Sequence, residues 1–326
     1  MNLKLIVPLV FAATAFTGSA FAQMTEEPAY EINVNKDIVY GQADIRKDGK
    51  LVSRDLWMDH YMPVEADGPL PTVIYTHGGS FHIGSPRTGY RVSGAQSSSP
   101  ADYCRLFASR GFACFAPQYR LGPEEPVSTG KGYAAENIDR KSINLMMDRV
   151  EIIRSNLGLR QLDASDPDDN QLMLDTVLSA AEDLHSALDF IIANAGELNV
   201  DPERIVLGGF SAGAVTSLNV AHGMNAPVAG VFMLSTAPIA INIYETVTEE
   251  SAPALIFLGQ HDLSGALAGT PPLLAHYDKI GLDYTFAWVP AFGHFYPSGA
   301  TTMGVDATLK SVEERIVDFV DTVTSN

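Results

Sequence analysis

Residues Arg204–His222 read RIVLGGFSAGAVTSLNVAH, and the fold turns on this stretch. Arg204–Leu207 is a short apolar run with β-branched residues, the composition of a buried strand. Ala212–Ala221 can continue as a helix. Between them, Gly209-Phe210-Ser211-Ala212-Gly213 fits G-x-S-x-G. A strand that turns sharply into a helix crowds its own backbone, and missing Cβ atoms relieve the crowding. The turn lifts the Ser211 hydroxyl above the sheet edge, with the positive end of the following helix beneath it. The pentapeptide alone is common by chance. An acid, a histidine and a second glycine loop, in the right order, would give it meaning.

Upstream, Pro71–Thr76 (PTVIYT) reads as a buried strand and runs into His77-Gly78-Gly79-Ser80-Phe81-His82. A reaction that builds negative charge on a carbonyl oxygen needs fixed N–H donors near it. Gly78 and Gly79 let the backbone approach with no side chain in the way. Gly79 and Ser80, with Ala212 after the serine, are therefore the candidate donors, and Gly78 the supporting spacer. The next strand, Phe112–Tyr119, ends in Tyr119-Arg120-Leu121-Gly122-Pro123-Glu124.

HGGSF, YRLGPE and GFSAG, in this order, resemble the α/β-hydrolase carboxylesterases, including the relatives of hormone-sensitive lipase. The resemblance runs from about Pro71 onward. It implies a mainly parallel sheet with helices on both faces, and hydrolysis of carboxylic esters. Two positions depart from the pattern. Ser80 stands where the third loop glycine is usual, and Phe210 where hormone-sensitive-lipase relatives usually carry an acid.

Downstream, Val228–Ser235 and Ala254–Leu258 read as further buried strands. The second ends in Gly259-Gln260-His261-Asp262, which puts a carboxylate at the carboxyl end of a strand, where an orienting acid belongs. Asp283 is the rival acid, but it precedes its strand. Tyr284–Val289 is followed by Pro290-Ala291-Phe292-Gly293-His294, a histidine on a loop leaving a strand. The order Ser211, Asp262, His294 is that of an α/β-hydrolase triad. His77 reads as structural and His82 as close to the mouth. His185 reads as a surface residue, His261 sits beside Asp262, and His60, His222 and His276 read as ordinary satisfied or exposed histidines.

Between Glu124 and Thr176 about fifty residues intervene where a compact α/β unit needs 2–6. This predicts a cap or lid inserted at about 124–176, with a helix over Asn144–Leu157. Asp163–Asp169 lacks the glycine of a calcium loop and reads as a solvated acidic loop. Helices are expected over Val177–Ala195 and over Asp306–Thr322, the second packing Leu309, Val312, Ile316, Phe319 and Val320 on the sheet. Tyr30–Tyr40 and Leu51–Val64 form a hairpin about Asp48-Gly49.

The chain has 326 residues, 46% of them hydrophobic, which suits one large domain. Residues 1–22 have Lys4, an apolar core and Ala20-Phe21-Ala22 before Gln23, a secretory signal cut after Ala22. The domain is then 23–326, exported to the periplasm or beyond, with no integral membrane segment left after the cut. The formal charge of −18 repels nucleic acid phosphates and anionic lipid head groups. In an exported chain Cys104 and Cys114 can bridge, or serve as two small buried hydrophobes.

The expectation is a serine esterase working through an acyl-enzyme, on a lipid, sugar, plant-derived or other small-molecule ester. No cofactor or metal is implied. The alternatives are a peptidase or amidase on the same scaffold, and a non-catalytic hydrolase-like binding protein.

Overall fold

A computed structural model describes residues 30–92 and 94–325. The leader and its expected cleavage site lie outside the described residues. Strands β1 (Ile32–Lys47) and β2 (Lys50–Pro63) pair antiparallel about Asp48-Gly49. Both turn residues take positive φ, 52° and 72°, the tight hairpin turn that matches strand twist.

Next come β3 (Leu70–Thr76), α1 (Pro100–Ala108) and β4 (Ala113–Gln118). After the inserted stretch with α2 (Asn144–Asn156) follow α3 (Pro167–Ala193), β5 (Val200–Phe210) and α4 (Ala212–Leu218). The chain continues through β6 (Gly230–Leu234), β7 (Ala254–His261), α5 (Ser264–Ile280) and β8 (Tyr284–Gly293). It closes with β9 (Thr301–Gly304), β10 (Leu309–Ser311) and α6 (Val312–Thr324). One sheet runs β1-β2-β4-β3-β5-β6-β7-β8-β9-β10. The run from β4 to β8 is parallel, flanked by antiparallel strands at both edges.

The central strands are apolar throughout because both faces are covered. Ile74, Phe115, Ile205, Leu207, Val231 and Ile256 face the layer holding α3, α4 and α5. Their chain neighbours Val73, Cys114, Val206, Phe232 and Leu255 face α1 and α6. Period-two alternation thus serves two cores at once. Cys104 on α1 and Cys114 on β4 are joined by a disulfide, with Cα atoms 5.1 Å apart. The helix rises and the strand returns beside it, which brings the two level.

The structure corrects or sharpens four sequence expectations. The helix read over Val177–Ala195 begins at Pro167, inside the range assigned to the insertion. Asp163–Asp168 is mostly exposed, as a solvated acidic stretch should be, but its end is helical: Pro167–Asp169 forms the first turn of α3. The Asp166 carboxylate accepts the N–H groups of Asp168 and Asp169, both at 3.0 Å, and caps α3. Asp169 is buried and forked onto Arg160 at 2.9 and 2.5 Å. Acids gathered here complement free N–H groups and the positive helix end. At the C-terminus the helix starts only at Val312, because Leu309–Ser311 forms an edge strand and Ser311 with Glu314 makes a capping box. Leu309, expected to pack on the sheet, is 68% exposed. His185, read as a surface residue, is half-buried below the loop at Gly132.

The YRLGPE segment fastens the inserted stretch to the sheet. The buried Arg120 guanidinium donates to both oxygens of Asp183 on α3 and to the carbonyls of Asp44 and Val127. Glu182, next along α3, accepts N–H groups of Thr129 and Gly130, each at 2.8 Å, and the Ser128 hydroxyl. Two adjacent carboxylates therefore organise the start of the insertion. Further on, Ile138–Asp139 pairs with Ala240–Ile241. Among the described residues, no helix is long and apolar enough to cross a membrane.

Candidate active site

Parallel strands end at one edge, so the residues that follow β3, β5, β7 and β8 gather there. Register makes the ends level: Thr76 lies opposite Gly209, Phe210 opposite Leu234, and His261 opposite Gly293. The next residues after three of these strands are Ser211, Asp262 and His294. A crevice at the carboxyl end of a parallel sheet is the usual place for chemistry in such architectures.

Ser211 adopts φ 56° and ψ −119°, a strained conformation for a residue with a side chain. Its N–H is held by the Leu234 carbonyl at 2.8 Å. The turn is possible because a Cβ on Gly213 would lie 2.1 Å from the Thr76 carbonyl oxygen. Only glycine lets α4 start so close to β3.

His294 links the other two residues. Its Nδ1 lies 2.6 Å from Asp262 Oδ1, and its Nε2 lies 2.8 Å from Ser211 Oγ. An ionised carboxylate only accepts, so Nδ1 carries the proton and Nε2 accepts from the Ser211 hydroxyl. Asp262 is 7% exposed and His294 8%. Burial alone would push the Asp262 carboxyl up. Hydrogen bonds from His294, Ser235 and the Leu263 N–H, joined by the imidazolium charge whenever His294 is protonated, outweigh it and hold the group below its ordinary range. Four donors meet this carboxylate: His294, Leu263 N–H at 2.8 Å, Ser235 Oγ–H at 2.6 Å and Gly259 N–H at 3.0 Å. Asp283, the rival acid, sits before β8 at the opposite sheet edge, where its carbonyl accepts the Ala254 N–H.

The loop after β3 supplies the facing wall. Gly79 has φ 110°, and a Cβ there would come 1.9 Å from the Ile83 carbonyl oxygen. Ser80 and Phe81 also take positive φ, 50° and 61°. Two non-glycine residues in succession in that region mark stored backbone strain beside the site. Among the described residues, the N–H groups of Gly79, Ser80 and Ala212 have no hydrogen-bond acceptor. They are free for a ligand oxygen. The Tyr119 hydroxyl ties the loop down, donating towards the carbonyls of His77 and Gly78 at 3.1 and 3.2 Å. His77 stacks on Tyr119, donates Nδ1–H to the Gly78 carbonyl, and is held neutral by burial, which lowers it to about 4. His82 donates Nδ1–H to the Ser80 carbonyl at 2.9 Å and accepts from Arg154 of α2 at 3.1 Å. The inserted helix is thereby hydrogen-bonded to the loop.

A chamber of about 230 Å³ opens beside Ser211 and His294. Leu145, Met146 and Ile152 of α2 form part of its wall, opposite Val215 and Ile239. A second chamber of about 10 Å³ lies between the same serine and histidine and the rings of Tyr90, Phe210 and Phe295.

The BD-FAE family model matches residues 174–230, which run from α3 through the serine turn to β6. No curated protein matches the sequence. Among solved structures, the apo form of Thermogutta terrifontis esterase 2 is similar at TM-score 0.51 and 17% identity, over 90% of this chain and 93% of that one. The same protein is also described phosphorylated by paraoxon, at TM-score 0.50 and 17% identity, with the same coverage. Esterase B from Lactobacillus rhamnosis is similar at TM-score 0.54 and 16% identity, over 90% of this chain and 86% of that one. The chain has the α/β-hydrolase fold.

Several contacts around the site have no clear signal in the sequence. Ser235 follows β6 and bonds Asp262, with the Tyr296 hydroxyl 2.9 Å from its own. Its only signal was its place at the end of a strand neighbouring the elbow. Phe210, notable in sequence for not being acidic, packs its ring 5.0 Å from the His294 ring and touches Phe295 and Tyr296. Its ring covers one side of the imidazole. Arg149 borders both chambers, and nothing in the sequence distinguished it from a surface arginine.

Proposed function

We propose that this protein is an exported serine esterase acting on carboxylic esters, with Ser211, His294 and Asp262 as its triad. The supporting observation is the continuous hydrogen-bonded path from Ser211 Oγ through His294 to Asp262, facing three unpaired N–H groups. In this reading His294 Nε2 takes the Ser211 proton as Oγ attacks the ester carbonyl. The N–H groups of Gly79, Ser80 and Ala212 receive the negative charge of the tetrahedral intermediate. His294 then gives the proton to the departing alcohol. It next draws a proton from water, which attacks the acyl-enzyme and releases the acid. Asp262 keeps the imidazole in the productive tautomer and stabilises its cation. The solved esterases of the same fold, one of them described as phosphorylated by paraoxon, agree with this chemistry. The α2 wall of the larger chamber gives the inserted stretch at about 124–176 the role of a cap that selects the substrate. The Cys104–Cys114 disulfide suits the oxidising compartment to which a leader at residues 1–22 would deliver the chain.

Ser211→Ala tests the assignment. Hydrolysis of a para-nitrophenyl butanoate should fall about a thousand-fold or more, and labelling by an organophosphate should vanish. Undiminished turnover would remove Ser211 from the mechanism.

A further inference from the structure

Behind Asp262 the hydrogen bonds continue through two more residues, and proton count fixes their directions. Ser235 follows β6, takes φ 60°, and donates its N–H to the Phe257 carbonyl at 2.9 Å. A positive φ on a residue with a side chain is backbone strain, and here it accompanies a hydroxyl aimed at the carboxylate. Ser235 Oγ lies 2.6 Å from Asp262 Oδ2 and 2.9 Å from the Tyr296 hydroxyl. An ionised carboxylate only accepts, so Ser235 gives its one proton to Asp262, and Tyr296 donates to Ser235. Both side chains are buried. Burial first, and then the Asp262 charge, push the Tyr296 hydroxyl well above its ordinary range, so it stays a donor at any working pH.

Two relays thus converge on one carboxylate: Ser211 to His294 to Oδ1, and Tyr296 to Ser235 to Oδ2. Hydrogen bonds in a chain polarise one another. The Tyr296 donation strengthens the Ser235 O–H, which draws the Asp262 charge towards Oδ2 and away from the imidazole. An imidazolium facing a carboxylate shared in this way is stabilised less, so the base stays able to act further into acid. Satisfying Oδ2 does not by itself require the second hydroxyl, because the Gly259 N–H also reaches this oxygen, at 3.0 Å. Among the described residues Asp262 makes an ion pair with His294 alone. His261, next to it in the chain, is exposed, and Tyr75 and Tyr103 lie buried near Tyr296. Asp148 and Arg149 of α2 border the same chamber as Ser235 and His294. None of these groups changes in the variants below, so their contributions cancel in the comparison.

Resting on the serine esterase reading, we propose that Ser235 and Tyr296 are positioning residues that act through Asp262 and set how far into acid the enzyme works. Tyr296 reaches the carboxylate only by way of Ser235, so the two form one unit and their effects are not additive.

Wild type, Ser235→Ala, Tyr296→Phe and the double variant form a cycle that tests this. The readout is the acid limb of kcat/KM for a para-nitrophenyl butanoate, followed at the nitrophenol isosbestic wavelength; kcat/KM reports ionisations of the free enzyme. Ser235→Ala should move the limb to higher pH by about half a unit or more. Tyr296→Phe, which keeps the ring packed on Phe210 and Phe292, should move it the same way by less. The double variant should move it no further than Ser235→Ala alone. Ser235→Gly, which tolerates the positive φ, should match Ser235→Ala and replaces it if the alanine variant misfolds. Loss of packing alone would lower the melting temperature and leave the limb in place. A limb that stays put or moves to lower pH without the Ser235 hydroxyl would overturn the proposal. So would a Tyr296→Phe shift that persists at full size in the Ser235→Ala background. If hydrolysis requires Ser211 while the limb is unmoved, the relay behind Asp262 fails alone. Hydrolysis that persists in Ser211→Ala sinks the esterase mechanism itself.

Discussion

Replacing Asp262 by asparagine is the most demanding perturbation of the site, because every position around the carboxylate is a donor. Oδ1 meets His294 Nδ1–H and Leu263 N–H, and Oδ2 meets Ser235 Oγ–H and Gly259 N–H. An amide must turn its NH2 to one side or the other. Towards the Oδ1 position it opposes the Leu263 N–H and forces His294 to accept, which puts a proton on Nε2 and disarms the base. Towards the Oδ2 position the Ser235 hydroxyl can rotate to accept, but the Gly259 N–H is left opposed and the imidazolium loses its counter-charge. Removing one partner of a buried ion pair costs about 3–5 kcal/mol. At about 1.4 kcal/mol per decade, kcat/KM should fall between about a hundred-fold and several thousand-fold. The assay is steady-state hydrolysis of a para-nitrophenyl butanoate, with near-ultraviolet circular dichroism to confirm packing. The low-field proton resonance of His294 Nδ1–H should disappear in parallel. Asp283→Asn, at the opposite sheet edge, should stay within about two-fold. A folded Asp262→Asn enzyme retaining more than about a tenth of wild-type kcat/KM would refute the orienting role.

Acid should destabilise the fold well before the carboxylates titrate. Burial lowers His60, His77 and His222 from 6.5 to about 4, so between those values the unfolded chain binds protons that the folded one refuses. Stability is therefore full above 6.5 and falls as pH drops towards 4, by about 3 kcal/mol for each histidine. Urea midpoints that stay constant across this window would contradict the burial of these rings. The disulfide closes a loop with a sequence separation of 10, for which chain entropy gives about 3 kcal/mol. A Cys104→Ala, Cys114→Ala double variant should melt several degrees lower than the oxidised protein, and equal melting would show that the bridge adds nothing.

The chemistry was legible where it is written in consecutive residues. GFSAG and HGGSF reveal themselves because tight turns demand glycine at fixed positions, and a parallel sheet places whatever follows its strands along one edge. Asp262 and His294 were readable for that reason: each follows an apolar run, and chain order assigned their roles. Local patterns mislead where helix ends compete with them. Asp168 and Asp169 read as part of one acidic loop but belong to the first turn of α3, which Asp166 caps. Leu309 fits a helical stripe until Ser311 and Glu314 start the helix at Val312, three residues later.

What sequence alone determined about this protein is the set of reacting groups and the layer that carries them, since turn geometry and strand polarity are local properties. Only the tertiary structure brought Ser235 and Tyr296 behind Asp262, set the Phe210 ring against His294, and placed Arg149 of α2 on the wall beside Ser211. Those contacts join residues far apart in the chain. Spacing along the sequence carries no record of which side chain will fill a given cavity or go without a partner.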